Sequence, residues 1–425
     1  MKIFRDPVHN VIDLDTGDKT VNSLIIKLID SKEFQRLRRI KQLGFADFAY
    51  PNATHTRFAH SLGVAFLAKR FIEKIISMED RILSYNKSSP HKHKLENFFE
   101  QIKRDKPLAI VAALLHDIGH GFLSHASEDI IGINHEVWVR DIILGDTEVN
   151  KILTAYNQYC PQTIIDILNS SGNHIHSGKI IDGTIDVDKM DYLLRDSHMT
   201  GSGYGRFDLE WLLNVISVGI HNNQVVIGLD EGKGLSLAED FVMARIYMHK
   251  NVYLHKTSMV ASEMLKLLFI RLKELPYENN MKKLCCGDSI TLANYLAVSD
   301  EHYYVFLSQL QNSNDEVLSK LSSGLYNRQL YKEIDKKQWQ DLTLYISDVK
   351  GADMVKYYAF EVKSDSIKEK LAYQPGKDEI ILFDKNGNAR ELLSKSLIVP
   401  LNMDNYQHHV GYYVDLEIAE KYTNT

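Results

Sequence analysis

Apolar residues recur at helical spacing through most of the first two thirds of the chain. Leu24, Leu28, Phe34, Leu37, Ile40 and Leu43 predict one basic amphipathic helix over residues 22–43. A second helix is expected over 58–77, after the polar Asn52-Ala53-Thr54. Residues 84–106 are polar and rich in Lys and His, with HKHK at 91–94. They are expected to form a mobile connection or a poorly packed helical insert. The apolar run 108–118 predicts a buried helix that ends near Gly119 and Gly121. Helical patterns recur over 161–170, 185–196, 208–218 and 236–273. The pattern changes after about residue 275. Helical segments within 288–335 give way to runs rich in Tyr, Val and Ile at 342–349, 357–362, 379–383 and 411–418. Those runs predict the strands of a small antiparallel sheet. The expectation is a mainly α fold, with a helical domain over 1–275 and an α+β C-terminal region over 276–425.

The chain has 425 residues, 44% of them hydrophobic and 25% charged. That excludes disordered and fibrous proteins and allows a large core without covalent staples. The 50 Lys and Arg against 56 Asp and Glu leave a formal charge of -6. No general attraction to nucleic acid or an anionic membrane is expected. The three cysteines, Cys160, Cys285 and Cys286, build neither a disulfide framework nor a four-thiolate zinc site. The start MKIFRDPVHN lacks the apolar run of a signal peptide, and Leu108 to Leu115 is too short to cross a bilayer. A cytoplasmic protein is expected.

The chemistry concentrates in one segment, LLHDIGHGFLSHASE at 114–128, which carries His116, Asp117, His120 and His125. A lone histidine is more often a satisfied core or surface residue than a ligand. Asp117 is different, because the run AIVAALL before it marks a buried helix, and a buried carboxylate is costly unless paired or bound to a cation. An imidazole nitrogen beside a carboxylate oxygen suits Mn, Fe, Zn, Ni or Co. His60 lies upstream and Asp186, Asp188 and Asp191 lie downstream; a metal site needs ligands from other elements, and His60 and Asp188 are the candidates. The glycine-rich TGSGYGR from Thr200 follows a helix, so it reads as a turn and not as a phosphate loop.

The ordered set His60, His116-Asp117 and Asp188 resembles the HD phosphohydrolase superfamily. RFAHSLGV at 57–64, HDIGHG followed by Ser124-His125, and DVDKMDY at 186–192 are similar to its deoxynucleoside triphosphate triphosphohydrolase branch. RDPVHN at 5–10, FQRLRRIKQLG at 34–44 and YLHK at 253–256 extend the likeness over roughly residues 2–260. The resemblance implies a helical HD-domain core and hydrolysis of dNTPs at the α-phosphorus to deoxynucleoside and triphosphate. It implies that His60, His116, Asp117 and Asp188 bind one divalent transition metal, with Mg accompanying the nucleotide. Arg57, His120, His125, Lys189, Tyr192 and Arg245 become phosphate contacts, and His135 with Glu128 an acid–base pair. Gln42 and Asp196 fall to the sugar 3′-hydroxyl, Tyr253 to the ribose face, and His255 to the base. A guanine-nucleotide effector falls on Asp30, Gln35 and Arg38, and a homodimer or homotetramer is expected. Two departures bear on the effector: Arg5 replaces an asparagine, and Trp211 falls near an expected basic residue. An HD phosphodiesterase and a nucleotide-sensing binding module are the alternatives.

Overall fold

The computed structural model describes residues 2–276, 280–286, 290–363, 379–403 and 410–423. The chain opens with a hairpin, β1 (Ile3–Asp6) and β2 (Asn10–Asp13), paired antiparallel. The expected helix over 22–43 is broken into α1 (Lys19–Asp30), α2 (Lys32–Arg36) and a 3-10 turn at Leu37–Arg39. Ser31 causes the break. Its backbone is extended, its hydroxyl donates to Leu28 O at 2.7 Å, and the same oxygen accepts from Phe34 N. A serine side chain that competes for backbone groups ends one helix and starts the next.

α3 (Arg57–Ser77) and α5 (Lys92–Leu115) form the central pair, with α4 (Glu79–Tyr85) between them in the chain. Of the segment expected as a mobile connection or a poorly packed helical insert, residues from Lys92 onward are the first half of α5. Leu95, Phe98, Phe99 and Ile102 are buried at helical spacing, so one face of this half packs into the core and the insert is not poorly packed. Pro107 lies inside this helix and frees the carbonyl of Lys103, which sits on the exposed face where water can satisfy it.

Short helices α6 (His125–Ile131) and α7 (His135–Leu144) follow. α9 (Cys160–Leu168) and α10 (Ile175–Ile181) pack on α5, α8 (Glu148–Tyr156) packs on α9 and α1, and α11 (Val187–Thr200) lies on α3.

The helical expectation over 208–218 holds only for α12 (Leu209–Val215). The chain then enters a hairpin, β3 (Ile216–His221) and β4 (Gln224–Asp230). Asn222 and Asn223 both take positive φ, as a two-residue hairpin turn requires. The pattern over 236–273 splits into α13 (Glu231–Met248) and α14 (Lys256–Glu274), joined by a π-helical turn at His249–Tyr253.

Beyond them, Asp300–Leu310 and Glu316–Tyr326 are helices. LTLYISDV, expected as a strand, lies in the helix Lys336–Lys350. Asp335 caps that helix at Gln338 N, and Leu342 and Ile346 bury one face four residues apart. Tertiary burial here overrides β-propensity. β5 (Lys332–Ile334), β6 (Ala359–Lys363) and β9 (Val410–Val414) make an antiparallel sheet in the order β5-β9-β6. The run from 411 ends as a helix, Leu416–Thr423.

β7 (Ile381–Phe383) and β8 (Ala389–Glu391) return to the first half of the chain. β7 pairs parallel with β4, giving the order β3-β4-β7-β8. The fold is mainly helical with small sheets.

Two apolar clusters organise the molecule. One runs from Ile12 to Val252 and takes in Ile380, Leu382, Leu392 and Val399. The other is built from Val260 onward but also holds Phe45, Phe122, Leu123, Ile130 and Trp138. Asp300 reaches across: its two carboxylate oxygens accept from Leu123 N at 2.8 Å and Lys41 N at 2.9 Å. The segment between α5 and α7 is therefore held from the far cluster. No helix among the described residues is long and apolar enough to cross a membrane.

Candidate active site

The end of α5, the first turn of α3 and the first turn of α11 meet. His60 Nε2 lies 2.9 Å from Asp188 Oδ1 and 3.5 Å from Asp117 Oδ2. His116 Nε2 lies 3.4 Å from both Asp117 Oδ1 and Asp188 Oδ1. Ligand atoms of His60, His116 and Asp117 all fall within 4.8 Å of one another. Each imidazole is turned by its other nitrogen. His116 Nδ1 donates to Ala113 O at 2.8 Å, and His60 Nδ1 donates to Asp191 Oδ2 at 2.8 Å. That fixes the tautomer and aims both Nε2 lone pairs at one point. His116 Nε2 is buried without a hydrogen bond of good geometry. An orphaned nitrogen facing two carboxylates fits a divalent cation.

The electrostatics agree. Burial disfavours the His60 imidazolium, yet its bonds to Asp188 and Asp191 outweigh burial and push it up to about 10. Burial also opposes the charge of Asp117, but Arg57, then His116 and His120, hold its carboxyl well below the usual range. The carboxylates gathered here outweigh the arginines beside them, a surplus of negative charge that a bound cation would offset.

Asp191 is the hub behind His60. Arg195 grips it with two bonds of 2.8 and 2.9 Å and reaches Asp6 at 2.7 Å, and His9 Nε2 lies 2.6 Å from its other oxygen. Gly63 lets α3 approach α11 this closely, since a Cβ there would collide with the Asp191 carboxylate. Asp6, His9 and Asp191 stand within the sequence motifs without an expected role, and Arg195 has none either.

A second cluster adjoins the first. Glu128 Oε1 lies 2.9 Å from His135 Nδ1, 3.1 Å from His125 Nδ1 and 3.4 Å from His120 Nδ1. The rings of His120 and His135 stack at 3.8 Å. His120 Nε2 lies 3.3 Å from Asp117 Oδ1, which joins the two clusters. Burial, then Arg57, pushes His120 down to about 3, so it is neutral. Burial raises Glu128, but the three imidazoles hold it below the usual range. Leu123 and Ser124, which lead into this cluster, both have positive φ without being glycine. Such strain persists only where surrounding bonds enforce it. Here Asp300 holds Leu123 N, and Ser124 Oγ donates to Lys41 O at 2.6 Å while accepting from Arg57 Nε at 2.9 Å.

The remaining expected contacts are placed as follows. Arg57 Nη1 pairs with Asp117 Oδ2 at 2.5 Å. Lys189 is tied to Asp186 and to Gly183 O. Burial pushes the Tyr192 hydroxyl up to about 12, against the positive charges of Arg245 and Lys189. Asp196 Oδ2 accepts from Tyr253 Oη at 2.7 Å, and Oδ1 lies 2.7 Å from His55 Nε2, a residue the sequence reading missed. Gln42 is buried, and its Oε1 has no partner among the described residues. His255 caps α14 through Nδ1, and its ring meets Tyr50 edge-on at 5.5 Å. Asp30 ends α1, Gln35 lies on α2 and Arg38 in the 3-10 turn after it, each with a partner within the chain: Lys2 for Asp30, Ile29 O for Gln35, and Gln35 for Arg38. Arg38 also lies 3.6 Å over the Phe58 ring. Arg5 bonds Asn10, and Trp211 is exposed.

Residues 57–196 match the HD domain, and residues 207–365 match the HD associated region. The uncharacterized protein YwfO of Bacillus subtilis is 33% identical over 94% of this chain and 88% of its own length. The deoxynucleoside triphosphate triphosphohydrolase SAMHD1 of Gallus gallus is 28% identical, over 63% of this chain and 45% of its own length. The crystal structure of a phosphohydrolase, BT4208 from Bacteroides thetaiotaomicron, superposes with a TM-score of 0.77 at 26% identity and covers 98% of this chain and 100% of its own. With the His and Asp residues at 60, 116, 117 and 188 gathered at one point inside the matched segment, this chain belongs to the HD-domain phosphohydrolase family.

Proposed function

We propose that the protein hydrolyses deoxynucleoside triphosphates at the α-phosphorus, releasing deoxynucleoside and inorganic triphosphate. The observation that carries this reading is the junction of the two clusters, where His120 bridges Asp117 to the Glu128 cluster. A site able to hold a cation thereby adjoins a set of imidazoles able to move a proton. His60, His116, Asp117 and Asp188 would hold one Mn, Fe, Zn, Ni or Co ion, which when bound polarises a phosphate oxygen and makes water more acidic.

The chain's own residues do the rest. Arg57, Lys189, Arg245, His125 and Tyr192 surround the phosphates with donors, and Mg accompanies the polyphosphate. As water bonds to the α-phosphorus and the P–O5′ bond breaks, the leaving oxygen needs a proton. His135 supplies it from Nε2 while Glu128 holds Nδ1 and orients the ring, and the proton that the attacking water gives up replaces the one His135 has donated. Asp196 and Gln42 receive the sugar 3′-hydroxyl, His255 lies near the base, and Tyr253 closes the ribose face. The likeness to SAMHD1 supports the choice of substrate.

Chromatography of the products tests the reaction. With Mn²⁺ and the four dNTPs, deoxynucleoside and triphosphate are expected in equal amounts. Release of monophosphate, or turnover only of phosphodiesters, would overturn the assignment. Tyr253→Ala is expected to narrow the preference for dNTP over rNTP by roughly 10-fold or more, the scale of excluding one small group from a pocket. An unchanged ratio of kcat/KM values would refute the gate. Regulation belongs to the same proposal: a guanine nucleotide bound at Asp30, Gln35 and Arg38 promotes a homodimer or homotetramer. Identical dNTP rates with and without added GTP would remove that part.

A further inference from the structure

Asp196 lies two helical turns beyond Asp188 on α11, with 1% of its surface exposed. Tyr253 Oη donates to one of its oxygens, and His55 Nε2 sits 2.7 Å from the other. A carboxylate only accepts here, so Nε2 carries the proton and His55 is the donor. His55 precedes α3 and is itself buried. It is paired with Gln42: Lys41 and Thr56 form an antiparallel bridge, and Gln42 N donates to His55 O at 2.9 Å. Gln42 and His55 are therefore neighbours through their backbones. The two residues proposed for the 3′-hydroxyl thus both meet His55, Gln42 through a backbone bond and Asp196 through the ring.

The other ring nitrogen is informative. His55 Nδ1 is buried and has no hydrogen-bond partner among the described residues. A histidine kept only as a structural tie is expected to use both nitrogens once both are buried. This ring makes its one side-chain bond at Nε2, to Asp196. Tyr253 alone would leave the carboxylate free to rotate about its Cβ–Cγ bond. With a donor on each oxygen the plane is set, and each oxygen keeps a lone pair for an incoming hydroxyl.

We infer that His55 is a positioning residue for sugar recognition: it holds the Asp196 carboxylate in the orientation that accepts the 3′-hydroxyl, and so it sets discrimination against 2′,3′-dideoxynucleotides. The inference rests on the dNTP reading of the site. His55 is not a catalytic residue, since it touches Asp196 and not the reacting atoms.

The test compares dATP with 2′,3′-dideoxyATP on the full-length protein with Mn²⁺. A site built to hydrogen-bond a hydroxyl rejects the analogue lacking it, by up to about 10⁴-fold. Wild type is expected to favour dATP by at least about 10²-fold in kcat/KM. His55→Ala is expected to lose at least about 10-fold on dATP, mainly through KM, with little change on the dideoxy substrate. His55→Gln is the decisive variant. Its carboxamide nitrogen reaches the place of Nε2, and nothing is forfeited at the unbonded Nδ1, so discrimination returns to within a few-fold of wild type. His55→Asn places its nitrogen near Nδ1 and does not restore it. Equal losses on both substrates in His55→Ala, or failure of His55→Gln to restore the ratio in a protein of wild-type melting temperature, would overturn the inference while leaving the dNTP assignment intact. A wild type that hydrolyses neither substrate overturns the dNTP assignment, and the His55 role with it.

Discussion

Replacing His116 with alanine and Asp117 with asparagine in one chain is expected to give a folded protein without bound transition metal and without turnover. Both side chains face the point where His60 and Asp188 converge. The double substitution removes one nitrogen ligand and one charge from that point. Asparagine keeps an oxygen where Arg57 binds Asp117, so the buried guanidinium retains an acceptor besides Ser124. The apolar face of α5, from Leu95 to Leu115, is untouched. Far-UV circular dichroism should therefore match wild type, while elemental analysis finds the metal gone. Turnover should fall by at least about 10³-fold, equivalent to about 4 kcal/mol of barrier. Retained metal together with retained turnover would move the site elsewhere in the molecule.

Arg195→Ala is expected to produce the largest loss of stability of any single substitution at the site. The guanidinium is 1% exposed and bonds both Asp191 oxygens and one of Asp6. Alanine leaves two buried carboxylates facing a cavity. Breaking a buried pair by removing one partner costs about 3–5 kcal/mol. At about 2–4 °C per kcal/mol for a domain of this size, the melting temperature should drop by roughly 10 °C. The effect should reach the site as well, because Asp191 orients His60. Metal affinity should weaken by about 10–100-fold, as when an outer partner of a ligating histidine is lost. Arg195→Lys should recover little, since an ammonium cannot span Asp6 and both oxygens of Asp191. A melting temperature within 2 °C of wild type would show the network to be dispensable.

Much of the candidate site is legible in the sequence. The candidate ligand residues have distinctive chemistry and stand at helix ends that local periodicity reveals. Asp117 follows an apolar run, His60 lies one turn into an amphipathic helix, and Asp188 lies at the start of another. The C-terminal strands were less legible. The Tyr- and Ile-rich run at 342–349 has β-like composition, but its partners bury Leu342 and Ile346 on one side only. A helix meets that demand, and composition alone does not report which side is covered. The same limit hid the hairpin at 216–230, whose closing strand β7 arrives from residues 381–383.

The sequence by itself determined the helical character of the fold and singled out His116-Asp117 as a candidate metal pair, because residue type and short-range spacing are displayed directly by a linear chain. His60 and Asp188 as their companions, and Glu128, His125 and His135 as candidate site residues, came from the resemblance of ordered motifs and not from spacing. Only the tertiary structure decided what holds them. Arg195 finds Asp6 across 189 positions, Asp300 finds Leu123 across 177, and His55 finds Asp196 across 141. A buried polar group must be satisfied by whatever packing brings within about 3 Å, and separation along the chain carries no trace of that distance.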